Sequence, residues 1–247
     1  MKPQIVLSMA LDRGQTERLL ALQTMFAAAC NHLAPLVQET RCWNRVALHH
    51  MAYRQLRERF PALGSQMACN VIYSVSRTCR ALFQDRGSPY ALHKLGQAPL
   101  PRVLFLPQSP VYFDRHTLSL KDGRVSMFTL DGRMRFQLRL DEREEAWFRR
   151  SRLREVVLSR EGPRMSLAFT FDEASAATGA STADTADIPN SDMGPDPDAP
   201  PVTADLPDYV MIVDAASVPE PASAAASASA RMSPSSTPSS RAAAPIR

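Results

Sequence analysis

The spacing of apolar residues in this chain changes once, near residue 101, and that change limits what the chain can fold into. Upstream, apolar side chains recur every three to four residues, as on the buried stripe of a helix; downstream they alternate, as on a half-buried strand. A first helix is predicted over about 13–38, with Leu19, Leu22, Phe26, Cys30, Leu33 and Val37 inward. Asp12 and Gln15 have the spacing of a capping box at its start. Pro35 is expected to kink or shorten its last turn. A second helix, about 41–59, is read with Trp43, Val46, Ala47, His50, Met51 and Leu56 inward. Pro61 and Gly64 then mark a turn. Ser65 is the expected N-cap of a third helix, 65–84, whose stripe is Ala68, Ile72, Val75, Cys79, Leu82 and Phe83.

Residues 85–101 read as a linker by their Gly and Pro content. Strands are predicted at 102–106, 110–113, 117–120, 124–130, 133–140, 153–160 and 164–171, with a short helical patch at 141–150. Asp122-Gly123 and Asp131-Gly132 fit hairpin turns, because glycine accepts the positive φ such turns need. Glu161-Gly162-Pro163 joins the last two strands. Many short strands with tight turns point to a small antiparallel β-barrel or a strongly curled sheet. The opening apolar run, residues 3–11, reads as a further strand. The fold class is therefore α+β. The divisions are 1–11 (first strand), 12–84 (three-helix lobe), 85–101 (linker), 102–172 (barrel) and 173–247 (tail).

The net charge of +4 conceals an asymmetry. Residues 173–247 hold three arginines and ten acidic residues, so the first 172 residues carry 26 basic and 15 acidic residues, a net of +11. A basic body suits a polyanionic partner, although a plain basic domain or a protein-interaction module remains an alternative. The tail is rich in Ala, Ser, Pro, Thr and Asp, and is expected to be disordered because it cannot bury enough apolar surface. Its one strand-like run is 208–214, DYVMIVD. Of the four cysteines, Cys30, Cys69 and Cys79 fall on apolar stripes as reduced thiols, and none stands in a CxxC or CxxH pattern. No uninterrupted apolar run approaches ~18 residues, and the N-terminus lacks a secretory pattern. A cytoplasmic chain without a membrane partner is expected.

No nucleophile elbow, phosphate-binding loop, dinucleotide fingerprint or zinc-protease motif occurs, so no catalytic residue, metal ligand or cofactor is assigned. His49 and His50, neighbours on a helix, point about 100° apart and do not converge on one ion. Asp114 and His116 read as a turn. The candidates are arginines. Arg54, Arg57, Arg77 and Arg80 lie on the second and third helices. Arg133, Arg135 and Arg139 share one side of a strand, opposite Met134, Phe136, Leu138 and Leu140. Arg149, Arg150, Arg152 and Arg154 cluster near Trp147. Each set is read either as a solvated face or as a phosphate-contacting stripe. Trp43 and Tyr53 are read as packing residues.

Residues 3–172 resemble the N-terminal half of the TnpB family, transposon-associated RNA-guided nucleases related to type V CRISPR effectors. The likeness is carried by the opening strand, by AAACNHL (27–33), by LRERFPALGSQMACNVIYSV (56–75) and by LSLKDGRVSMFTLDGRMRFQLRL (118–140). The LR-x-x-FP-x-L-x-SQ-x-A-x-x-VI pattern is the most specific. The resemblance implies a wedge-type β-barrel interrupted after its first strand by a helical recognition lobe, gripping guide-type RNA or an RNA–DNA hybrid through the backbone. It also implies what is missing. The family's nuclease half needs several carboxylates and carries a zinc ribbon, whereas here YVMIVD (209–214) offers one aspartate, Asp214. The expectation is a nuclease-lacking nucleic-acid binder, not an enzyme, whose partners include guide-type RNA and a separate nuclease chain.

Overall fold

The opening strand pairs far along the chain. In the computed structural model, which describes residues 4–121, 123–171 and 206–213, β1 (Gln4–Ser8) lies antiparallel to β8 (Arg164–Phe171), with Leu7 opposite Leu167. β7 (Leu153–Glu161) pairs on the other side of β8, and β3 (Val111–Phe113) pairs with β7, giving the sheet order β1-β8-β7-β3. Everything between β1 and β3 in sequence, including the three long helices, is therefore inserted between members of one sheet.

α1 (Arg13–Thr40) begins with the expected capping box, in which the Asp12 side chain accepts from the Gln15 backbone and Gln15 returns the contact. Its six expected inward residues are all buried. Pro35 neither stops nor shortens it; the helix runs to Thr40 and ends at Arg41, in a left-handed conformation. The carbonyl that Pro35 cannot engage is that of Asn31. By length and composition α1 could cross a membrane, but its apolar stripe lies in the core.

α2 (Arg45–Arg59) corrects the sequence reading. Its buried residues are Leu48, Ala52 and Leu56, whereas Val46 and Met51 are 47% and 39% exposed and His50 faces solvent. Both faces of this helix carry apolar residues, so its pattern does not name the inner one. Packing against α3 (Gly64–Phe83) and α1 selects the Leu48–Ala52–Leu56 ridge. α3 does not start at a Ser65 cap either. A 3-10 turn at Pro61–Leu63 feeds into it, with Leu63 in the cap position and no side-chain cap. The stripe expected for α3 is buried throughout. One helical turn, α4 (Leu92–Leu95), interrupts the 85–101 linker.

β4 (Leu118–Lys121), β5 (Arg124–Thr129) and β6 (Gly132–Gln137) form a three-stranded meander. Gly123 and Gly132 take φ of 71° and 110° at its two turns, as hairpins of this length demand. α5 (Glu142–Arg150) crosses from β6 to β7 behind an Asp141–Glu144 capping box. The run expected in the tail is a strand, β9 (Val210–Val213), paired antiparallel with β2 (Arg102–Phe105), Val210 opposite Phe105. Asn31 from α1 occupies the other edge of β2, donating to the Phe105 carbonyl at 2.8 Å and accepting from its N–H at 2.7 Å.

Among the described residues the strands thus form three open sheets, and no ladder closes them into the expected barrel. One apolar core runs through all of it, from Leu22 and Phe26 on α1, through Val71 and Val75 on α3, to Leu158 and Phe169 in the large sheet. The rest of the 173–247 tail, Asp214 included, lies outside the described residues.

Candidate nucleic-acid interface

The β4–β6 meander separates its side chains cleanly. Leu118, Val125, Met127 and Met134 point into the core. On the other face the register places Ser119, Ser126 and Arg135 in one row and Lys121, Arg124 and Gln137 in the next, with Phe128 opposite Arg133. Lys121, Arg124, Arg133, Arg135 and, beyond the strand, Arg139 are all exposed. No carboxylate from the described residues of these strands shares that face. Five cations on one hydroxyl-bearing face produce a positive potential that no carboxylate among the described residues of these strands offsets.

Arg133 differs from its neighbours. Its guanidinium lies along the sheet, donating to the Ser126 hydroxyl at 2.9 Å, the Ser126 carbonyl at 2.6 Å and the His116 carbonyl at 3.1 Å. It supplies positive charge from a fixed position. Lys121, Arg124, Arg135 and Arg139 have no hydrogen-bond or ion-pair partner among the described residues, and keep their donors for a ligand. Lys121 and Arg124 were not among the residues named from the sequence. The signal for them was present: a two-residue turn at 122–123 puts residues 121 and 124 directly opposite, beside the arginines of β6.

The four helical arginines are dispersed by the fold. Arg54 is 91% exposed and pairs with Glu58 at 3.0 Å, one turn along the same helix. Arg57 is half-buried, and its Nη1 is buried without a hydrogen-bond partner among the described residues. Arg80 is half-buried with its Nε in the same condition. Arg77 turns inward. It bonds the Tyr73 hydroxyl at 2.8 Å and Glu155 of β7 at 3.2 Å, its side chain 23% and that of Glu155 18% exposed. Tyr73 and Tyr112 place their rings under it. Burial alone would weaken the charge on Arg77. Tyr112, Tyr73 and Glu155 more than offset that, so it stays firmly cationic. Burial and the Glu155 carboxylate push the Tyr73 hydroxyl up to about 12, and Tyr112 and Tyr209 are raised mainly by burial. This knot ties the helices to the large sheet and is not part of the outer surface expected for Arg77.

A second exposed basic group, Arg149, Arg150 and Arg152, stands where α5 ends. Arg149 reaches back to Glu145 at 3.5 Å. Trp147 is 37% exposed, its ring centre 6.3 Å from that of Phe171, while Phe148 packs edge-on against Phe169 and Phe171.

No family model matches the chain, and no curated protein matches it. Its chemistry is therefore read from its own groups. Among the described residues no cluster of three or more His, Cys, Asp or Glu could hold a metal ion. Asp114 is occupied as a loop cap, accepting from the backbone of His116 and Thr117 and from the Gln66 side chain. The four thiols are unbridged, and burial holds the Cys79 thiol up at about 12, which leaves it unreactive. The recess at the start of α1, lined by Asp12, Glu17, Arg18 and Asp131 among others, has three carboxylates to one cation and does not suit a polyanion. The arrangement that remains is a cationic sheet face able to bind phosphates.

Proposed function

We propose that this chain is a nucleic-acid-binding protein that grips structured RNA, or an RNA–DNA hybrid, through its phosphate backbone. The observation that carries this reading is the outer face of β4–β6, where Lys121, Arg124, Arg133 and Arg135 stand together with no carboxylate among the described residues of these strands. Such a face supplies charge and hydrogen-bond donors but no base-reading pattern, so it favours backbone shape over sequence. The likeness of residues 3–172 to the RNA-gripping half of TnpB proteins supports the same reading, as does the net charge of +11 over the first 172 residues. In this reading the chain holds a guide-type RNA, and any cutting belongs to a separate chain.

Filter binding of the full chain to a labelled RNA hairpin, run at several salt concentrations, tests it. Affinity should fall steeply with salt, since each phosphate contact releases counterions. Absence of binding at low salt, or affinity indifferent to salt, defeats the reading.

A further inference from the structure

A second ligand surface lies on the helices, away from the sheet face. Arg45, His49, Tyr53 and Arg57 occupy one i, i+4 ridge of α2, next to the buried Leu48–Ala52–Leu56 ridge. Facing them on α3 is a matching ridge, Cys69, Tyr73 and Arg77. The groove between is half-buried at His49, Tyr53, Arg57, Cys69 and Tyr73, and opens to solvent at Arg45. Midway along it the His49 and Tyr53 rings are stacked, 4.6 Å between centres and 19° from parallel. At one end the Arg45 guanidinium lies over the Tyr73 ring, 5.2 Å from its centre. At the other end Arg57 keeps a buried Nη1 with no acceptor among the described residues. That nitrogen is closed to solvent, so an incoming oxygen has to meet the fork at its remaining N–H groups.

Both guanidiniums act electrostatically on Cys69, so both lie near it. Two carboxylates lie near that stretch: Asp114 has its oxygens taken by Gln66, the loop backbone and Thr117, and Glu155 is held by Tyr73 and Arg77. The adjoining loop leads to the sheet face, because Arg133 bonds the His116 carbonyl and the Phe128 ring lies beside Gly64 at the start of α3.

We propose that the α2/α3 groove is a subsite for an unpaired nucleotide of a nucleic-acid strand. Arg57 and Arg45 take the phosphates that flank it, and its base stacks on the Tyr53–His49 pair. Guanidinium forks suit phosphate oxygens, and an aromatic face accepts any base, so the subsite binds single strands with little sequence preference. The inference rests on the nucleic-acid reading above and adds to it a place where the strand leaves its duplex.

The test uses fluorescence anisotropy with the full chain and three labelled probes: an RNA hairpin with a short single-stranded overhang, the same hairpin blunt-ended, and the overhang hairpin in DNA. The overhang probe should bind about tenfold tighter than the blunt one, the worth of one stacked base and its phosphates. Arg57→Gln and Tyr53→Ala should each remove most of that advantage, while leaving blunt-hairpin affinity within about twofold. Arg57→Gln should also shrink the salt slope on the overhang probe by about one phosphate contact, ~0.7. Should either variant fail to fold by circular dichroism, Arg45→Gln decides, since Arg45 is exposed and its substitution spares the core. An overhang advantage that survives in folded variants overturns the subsite while leaving the parent reading intact. Equal binding of overhang and blunt probes by the unaltered chain does the same. Absence of binding to all three probes defeats both. Equal affinity for the RNA and DNA overhangs supports a subsite that ignores the 2′-hydroxyl, and a preference for one assigns the strand.

Discussion

Arg77 and Arg135 are the same residue type on one small protein, and the fold gives them opposite work. Arg77 on α3 is enclosed by Tyr73, Tyr112 and Glu155, its charge spent on holding helices to the sheet. Arg135 on β6 stands on an exposed face among other cations. A guanidinium is costly to desolvate, so it enters an interior only where a carboxylate and rings receive it. On the meander no carboxylate of the described strand residues receives it, and mutual repulsion among five cations is relieved by solvent, salt or a polyanion. The contrast separates arginines that build this protein from those available to a ligand.

The sharpest way to break the contrast is Arg77→Ala. It leaves Glu155 half-enclosed without its cation, though still bonded to the Tyr73 hydroxyl, and should cost about 2–4 kcal/mol of stability, read from the urea midpoint. A loss below about 0.5 kcal/mol would show that the knot does not hold the lobe to the sheet. Next in size is the triple change Lys121→Ala, Arg124→Ala and Arg135→Ala. It should leave the urea midpoint nearly unmoved, yet reduce the dependence of log affinity on log salt for an RNA hairpin by about 2–3, close to one unit per lost contact. An unchanged slope removes the meander from the interface.

The tyrosines of the knot provide a probe of intermediate size. Tyr73 is pushed up to about 12, and Tyr112 and Tyr209 are raised as well. Tyrosines in the unfolded chain ionise near 10. Between those values the unfolded state releases protons that the folded state keeps, so stability holds below pH 10 and declines as pH rises above it. Tyrosinate absorbance should show Tyr73, Tyr112 and Tyr209 ionising above pH 10, together with unfolding. Ionisation of Tyr73, Tyr112 and Tyr209 near pH 10 in the folded chain would place the knot in solvent. The smallest effect is expected from Arg54→Ala, which removes an exposed pair with Glu58 and should cost no more than about 0.5 kcal/mol. A larger loss would mean that α2 depends on its outer face.

Much of the architecture could be read from the residues in order. The stripes of α1 and α3 named their own buried faces, because each has a single apolar side. The two hairpins were marked by glycines that must take positive φ, and the tail's YVMIVD run declared itself a strand. α2 resisted for the opposite reason. Val46 and Met51 are as apolar as Leu48 and Leu56, and only the neighbouring helices determine which side is covered. Pro35 does not shorten α1, whose turns on either side are tied to β2 through Asn31 and to Leu100 through Gln38. The candidate site was half legible: strand parity placed Arg133, Arg135 and Arg139 on one face, and turn geometry would have added Lys121 and Arg124.

The sequence alone therefore determined the helix-then-strand order, the stripes, the turns and the excess of positive charge, since all of these follow from local spacing and composition. Which arginines remain outside, which strands meet, and that β1 reaches β8 and β2 reaches β9 across long stretches of chain, only the tertiary structure decided. Those outcomes depend on partners distant in sequence. An isolated guanidinium carries no mark of whether a Glu155 will be waiting for it.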